Sequence, residues 1–394
     1  MKSDFLKYQA QTTPHSLTFE VSHADGSYIY DTNGKKHLDF VAGVSANSLG
    51  HCHPKVSQAI QEQLKKYTHV MVYGEFIQKP QLELCKLLAQ QLPKSLETVY
   101  LTNSGTEAVE GALKLAKRFT NRYEIISCKN SYHGSTQGSM SVSGVEKQNQ
   151  VFRPLIPGVR FVNFNNIDEI QFITDKTACV IIETIQGGAG FIEPKNNYLH
   201  KVQRRCEEVG ALLILDEIQT GIGRTGTFFG FENYNCIPDI IIAGKGLGGG
   251  MPIGAFISSN KIMRCLEDNP KLGHITTFGG HPLIAAAGLA TVKEIVTSNL
   301  MNQALDKEEL FKKLLIHDEI LEIRGKGLML SLIFKNGELA SSVILKCLEK
   351  GLILFWLLFE VRAVRITPPL TISTEEIKEG CAILLDVINE VVIE

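Results

Sequence analysis

Three places in this 394-residue sequence put reactive side chains directly after a short apolar run. Leu212-Leu213-Ile214-Leu215 leads into Asp216, Glu217, Ile218, Gln219, Thr220 and Gly221, and Ile240-Ile241-Ile242-Ala243 leads into Gly244-Lys245-Gly246. Val99 to Leu101 leads into Thr102-Asn103-Ser104-Gly105-Thr106-Glu107. In open α/β sheets ligands bind beyond the carboxyl ends of the strands, so chemistry is expected at these exits. Ser104-Gly105-Thr106 stands where a helix begins, and the free N–H groups and dipole of such a turn favour a phosphate. Taken singly, such a turn usually only caps a helix, and a lysine or aspartate there is usually a solvated charge or a cap. Together, a phosphate cradle, a carboxylate and an amine at neighbouring strand ends are the set that holds pyridoxal phosphate. The amine of Lys245 would form a Schiff base with the aldehyde, and the carboxylate of Asp216 would pair with the ring nitrogen, making the ring an electron sink.

A competing pattern shares the lysine. Gly244-Lys245-Gly246-Leu247-Gly248-Gly249 fits the G-x-G-x-x-G fingerprint that binds dinucleotides after a strand. That fingerprint must open a helix, whereas Gly250-Met251-Pro252-Ile253-Gly254 continues the glycine run into another strand-like segment. An NAD-dependent oxidoreductase is therefore the weaker reading. His51 and His53 have no further ligands beside them and read as a structured loop, so no metal is expected.

The elements that must position these groups follow from the alternation of apolar runs with amphipathic stretches. Short strand-like runs at 99–101, 124–127, 179–182, 212–215, 240–243 and 253–257 predict an open, mostly parallel α/β sheet. Ala108, Ala112, Leu115, Ala116 and Phe119 recur at helical intervals, and 198–209 is a second helix candidate. From about Leu283 a long Ala-rich helical stretch, a charged helix over 306–313 and shorter α+β segments suggest a second, smaller domain. Residues 26–40 form a hairpin pattern around Asn33-Gly34, too small to stand alone. The division expected is an N-terminal segment 1–45 packing with the small domain, a large domain 46–285 and a small domain 286–394.

Forty basic against forty-two acidic residues leave a net charge of −2 with no basic stripe, which excludes an electrostatic footprint for nucleic acid. Nine scattered cysteines without a Cys-x-x-Cys pair fit a reducing cytoplasm better than a disulfide framework or a zinc site. The most apolar run, Leu352 to Phe359, is eight residues long, far short of the roughly 20 that cross a bilayer. It reads as a buried strand or an interface, and no membrane partner is expected.

At these residues the sequence resembles the class III aminotransferases of the acetylornithine, ornithine and 4-aminobutyrate type, within the fold type I pyridoxal-phosphate enzymes. The resemblance spans nearly the whole chain and rests on seven motifs in family order. They are Gly50-His51-Cys52-His53-Pro54, Ser104-Gly105-Thr106-Glu107-Ala108, Tyr132-His133-Gly134, the run from Asp216-Glu217 to Gly226, Gly244-Lys245-Gly246, Thr277-Phe278-Gly279-Gly280-His281-Pro282 and Arg365-Ile366-Thr367-Pro368-Pro369-Leu370. It implies a large domain with a seven-stranded-type, mainly parallel sheet plus a smaller α+β domain. It also implies a homodimer with active sites at the subunit interface and a cytoplasmic role in amino acid metabolism.

Carried over residue by residue, the resemblance implies Lys245 as the Schiff-base lysine and Asp216 as the partner of the pyridine nitrogen. Gln219 would sit near the phenolic oxygen, Gly105 and Thr106 at the phosphate, and Tyr132 and Ile218 on the two ring faces. Thr277 would reach the phosphate of the neighbouring subunit's cofactor, with Thr276 beside it on the substrate side. Arg365 would receive a substrate carboxylate. The reaction implied moves an amino group from an (ω-)amino acid to a 2-oxo acid in two half-reactions; another reaction on the same scaffold, an aminomutase or decarboxylase, is the alternative.

Three substrate-side positions depart from the better-known members. Ser135 stands where an arginine usually grips a distal carboxylate, and Gly188 stands where a glutamate usually pairs with the carboxylate-binding arginine. Val44 stands where ornithine-specific members are expected to have a tyrosine. Strict ornithine or 4-aminobutyrate specificity is therefore not expected, and Arg153 or Arg362 are candidate substitute anchors.

Overall fold

A computed structural model describes residues 1–393. In chain order the strands are β1 (Val21–Asp25), β2 (Tyr28–Asp31), β3 (Lys36–Asp39), β4 (Thr98–Thr102), β5 (Glu124–Cys128), β6 (Val159–Val162), β7 (Thr177–Glu183) and β8 (Leu212–Asp216). They continue with β9 (Ile240–Gly244), β10 (Gly254–Ser258), β11 (Ile320–Lys326), β12 (Met329–Phe334), β13 (Leu352–Ile353), β14 (Phe355–Trp356) and β15 (Ala363–Ile366). Seven form the central sheet in the order β4-β10-β9-β8-β7-β5-β6. Only β10 runs against its neighbours, pairing antiparallel with both β4 and β9.

Successive residues of a strand face opposite sides of a sheet, and here both sides are apolar. Cys179, Ile181, Leu212, Ile214, Ile240 and Ile242 pack with the helix Gly105–Thr120 on one face. Val180, Ile182, Leu213, Leu215, Ile241 and Ala243 belong to the larger core on the other. That double burial is why these strands read as continuous apolar runs. The helical stripe behaves as its spacing predicts: Ala108, Ala112, Leu115 and Ala116 are fully buried. Ser104 caps this helix by accepting from the N–H of Glu107 at 3.3 Å.

Two four-stranded sheets, β1-β2-β3-β13 and β11-β12-β15-β14, complete the fold. β3 pairs in parallel with β13, and Ser27 and Tyr28 reach Glu376 and Glu379 on the last helix, so the N-terminal hairpin packs on the C-terminal third. The division expected at 285/286 falls inside the continuous helix Pro282–Thr297, which packs on the helices Pro54–Leu64 and Lys79–Gln90. The run Leu352 to Phe359 is not one buried strand. It breaks at Leu354 into β13 and β14, which belong to different sheets. Leu352, Leu354 and Leu357 are buried, while Phe355 and Leu358 are exposed. Among the described residues no single helix is long and apolar enough to cross a membrane.

The loop after β8 is organised by a buried carboxylate. Glu217 accepts from the hydroxyls of Thr184 at 2.6 Å and Thr220 at 2.5 Å and from the N–H groups of Gly230 at 2.8 Å and Phe231 at 2.7 Å. Arg224, fully buried in the same loop, donates to the carbonyls of Leu328 and Pro368, tying the loop to the segment that follows β15. Burial pushes the Glu217 carboxyl up to about 7, against the opposing pull of those four donors. The folded chain thus keeps this proton to higher pH than the unfolded chain, and stability falls as pH rises from the ordinary carboxyl range through about 7. Glu217→Gln cannot ionise, so its urea midpoint relative to the native protein is expected to shift in the variant's favour between about pH 5 and about pH 8. A constant difference across that range would show that burial does not raise this group.

Candidate active site

Parallel strands place their carboxyl ends on one edge of a sheet, and there the structure opens a cavity of about 480 Å³. The pairing of Glu183 with Asp216 across β7 and β8, and of Asp216 with Ile242 across β8 and β9, fixes the relative heights of the groups that enter it. Lys245 follows β9 directly, with a φ of 42° that is uncommon for a residue with a side chain. Burial pushes its ammonium below the ordinary lysine range; Asp216 pulls it back up, and Arg365 adds to the depression.

Asp216 is 5% exposed and held at both oxygens. Oδ2 lies 2.7 Å from His133 Nδ1, and Oδ1 accepts the N–H of Ile218 at 3.0 Å. A carboxylate only accepts, so His133 carries its proton on Nδ1 toward Asp216. Beside them Glu183 accepts from the N–H groups of Tyr132 at 3.1 Å and Gly187 at 3.0 Å, and burial pushes its carboxyl up to about 7. Tyr132 lies on the cavity wall, 37% exposed, its hydroxyl 3.3 Å from that of Ser135.

At the start of the helix Gly105–Thr120, a Cβ on Gly105 would come within 2.6 Å of Ile218 Cδ1. The glycine lets the isoleucine lie close against this turn. Thr106 Oγ1 lies 2.6 Å from Ser139 Oγ and 2.7 Å from Thr136 Oγ1, gathering hydroxyls at the same helix end. On the opposite wall Gln219 Nε2 donates to Ser45 Oγ at 3.3 Å. Ser45 and Val44 belong to a turn, Ala42–Ser45, in which φ is positive at every residue, from 50° to 66°.

Arg365, in the middle of the sheet β11-β12-β15-β14, enters from the C-terminal third. It is 5% exposed, its guanidinium stands 5.7 Å from the ring centre of Phe191, and burial pushes it down to about 10. Its Nε and Nη1 are buried without a partner. Buried polar groups are normally satisfied, so an unpaired guanidinium opening on a cavity marks the place of an anion. An amine, a fixed carboxylate and a hydroxyl-lined helix N-terminus around one cavity fit pyridoxal 5′-phosphate, with room beside it for a substrate at Arg365.

Every residue expected at the site lines this cavity except Thr276 and Thr277. Thr276 spends its hydroxyl on Asn103 Nδ2 and the N–H of Gly279, and Thr277 is exposed outside the cavity. Arg153 and Arg362 do not line it either; each is bonded to a glutamate, Glu146 and Glu360. His51 is bound to Asp39 at 2.8 Å. After Lys245 the glycine run makes one 3₁₀ turn, Lys245–Gly248, and enters the antiparallel β10, so no dinucleotide-binding helix follows. Sequence reasoning assigned no role to His133, Glu183, Phe355, Trp356, Leu358 or Phe359. Glu183 could have been found as a carboxylate at a strand exit; the aromatic wall lies in the apolar run Leu352 to Phe359, whose hydrophobicity alone did not mark it as a cavity lining.

The class-III aminotransferase family pattern matches residues 8–388. The chain is 39% identical over 382 residues to acetylornithine aminotransferase of Caldanaerobacter subterraneus subsp. tengcongensis, covering 93% of this chain and 94% of that one. It is 38% identical over 391 residues to putrescine aminotransferase of Pectobacterium atrosepticum, covering 94% and 83%. Its fold superposes on the crystal structure of ornithine aminotransferase from Toxoplasma gondii ME49 with a TM-score of 0.92 at 28% identity, covering 99% of this chain and 94% of that one. An aminotransferase takes an amino donor and a keto acid. The fold type I architecture, the cavity and these likenesses agree: the chain belongs to the class III aminotransferases, enzymes that transfer amino groups with pyridoxal phosphate.

Proposed function

We propose that Lys245, Asp216 and Arg365 carry amino transfer from an (ω-)amino acid donor of the kind the relatives' names describe to a 2-oxo acid. The observation that carries this reading is their convergence on one cavity. When bound, pyridoxal phosphate supplies an aldehyde that joins amines and a pyridinium that draws electrons from the adjacent carbon.

Lys245 would hold the cofactor through Nζ. Once free, Nζ would take the proton from the donor carbon, and burial, which disfavours its ammonium form, leaves the amine open to accept it. Asp216 would keep a proton on the ring nitrogen, and His133 fixes the carboxylate in position. Ile218 and Tyr132 would hold the two ring faces, Gly105 and Thr106 the phosphate, and Gln219 the ring oxygen. Arg365 binds the acceptor's carboxylate. Donor and acceptor use the same cavity in turn, which gives ping-pong kinetics.

Thr277 stands in a surface segment where Ile275 is 62% and Phe278 53% exposed. An apolar patch of this kind supports a homodimer, in which Thr276 and Thr277 would serve the neighbouring site. Nine unpaired thiols support a reducing, cytoplasmic location.

Borohydride reduction of the purified enzyme is expected to fix the cofactor's mass on the peptide containing Lys245, and Lys245→Ala is expected to abolish both this mark and amino transfer. Attachment at another residue would overturn the assignment. Arg365→Ala is expected to raise the acceptor KM at least about tenfold, as loss of a charge-assisted bond implies, with a smaller effect on kcat; an unchanged KM would remove Arg365 from acceptor binding. Phe278→Glu is expected to shift sedimentation from dimer toward monomer, and a native profile would move the interface elsewhere.

A further inference from the structure

Beyond Arg365 and Lys245, whose Nζ serves the cofactor and the reacting carbon, the described residues of one protomer offer the substrate side of the cavity no free charge. Asp216 is bound by His133 and Ile218, and Glu183 by Tyr132 and Gly187. The hydroxyl of Ser135 is shared with Tyr132, and that of Thr220 is given to Glu217. The indole N–H of Trp356 points away, to Ser341 Oγ at 3.1 Å. The remaining wall is Val44, Ile185, Phe355, Trp356 and Leu358.

Gly188 lies where this wall meets the C-terminal third. Its carbonyl accepts the N–H of Phe359 at 2.9 Å, and a Cβ added to it would stand 2.8 Å from two carbons of the Phe359 ring. The aromatic ring therefore fills the space a side chain at 188 would need, and no carboxylate from that position can reach Arg365. Position 188 therefore supplies no counter-charge that competes with a substrate carboxylate for the guanidinium.

One permanent cation and an apolar wall define a ligand with one carboxylate and an uncharged body. We propose that the acceptor is a 2-oxo acid with a single carboxylate and an apolar side chain, and that a 2-oxo diacid is selected against. This rests on the assignment of Arg365 to the acceptor carboxylate. A second carboxylate on such an acceptor would lose its water against Phe355, Trp356 and Leu358 and gain no partner. The overall step is balanced between the two substrates. The donor carbon loses its amino group and its hydrogen and takes its carbonyl oxygen from water; the acceptor's keto carbon gives up its oxygen as water and gains that nitrogen and one hydrogen, so one carbon is oxidised as the other is reduced and the water cancels.

The test needs no donor. The enzyme is loaded with pyridoxamine 5′-phosphate, and its conversion to the pyridoxal form is followed by absorbance with 2-oxohexanoate or 2-oxoadipate, acceptors of equal length that differ in the terminal carboxylate. Conversion per unit concentration is expected to be at least about tenfold faster with 2-oxohexanoate. In parallel, calorimetric titration of the loaded enzyme with the unreactive acids is expected to show hexanoate binding at least about tenfold tighter than adipate. Equal or faster conversion by 2-oxoadipate, or equal binding of the two acids, overturns the proposal. If neither oxo acid converts the loaded enzyme while hexanoate binds more tightly than adipate, the pocket's preference stands and the amino-transfer reading falls.

Discussion

The site depends on one buried carboxylate being held still. Asp216 ends the central strand of the sheet, and an anion in that position is tolerated only if its surroundings supply donors. His133 and the N–H of Ile218 supply them from two sides. Each anchor also serves the cavity. His133 lies in the loop that presents Tyr132, and the Ile218 backbone bond sets the side chain that lies against Gly105. Fixing Asp216 therefore fixes both faces of the slot above it. The bonds of Glu217 one residue further on hold the rest of that loop, and Arg224 extends the same restraint to the segment that follows Arg365.

Much of this was legible because buried parallel strands leave a strong trace. β7, β8 and β9 are apolar on both faces, so their positions and exits could be read directly, and with them Asp216 and Lys245. The helix after β4 showed its buried stripe for the same reason. β6 was missed because Val159–Val162 is an outer strand with an exposed arginine at 160, which dilutes the apolar signal. Leu352 to Phe359 looked like one strand because hydrophobicity does not distinguish a core from a pocket wall. There the chain changes sheets at Leu354, and Phe355, Trp356 and Leu358 line the cavity.

The substrate side was less legible, since its character comes from contacts distant in sequence. Ser135 and Gly188 could be marked as departures, but what stands in their place could not be read. Phe359 lies 171 positions beyond Gly188, and their contact exists only because the C-terminal third packs over the sheet edge. The same holds for Arg365, whose value lies in having no partner.

The turn Ala42–Ser45 carries a consequence for how this enzyme can change. Its left-handed backbone costs about 1–2 kcal/mol at each residue that bears a Cβ, and Val44, branched at that carbon, suits it least. Asp39 holds the turn by accepting the N–H groups of Val41 at 2.8 Å and Ala42 at 3.0 Å. At most pocket positions, enlarging the space sacrifices packing and weakens the fold. At Val44 the two effects oppose each other, because a glycine there relaxes the backbone while it widens the wall. The width of the cavity can therefore change at this turn with little penalty in stability.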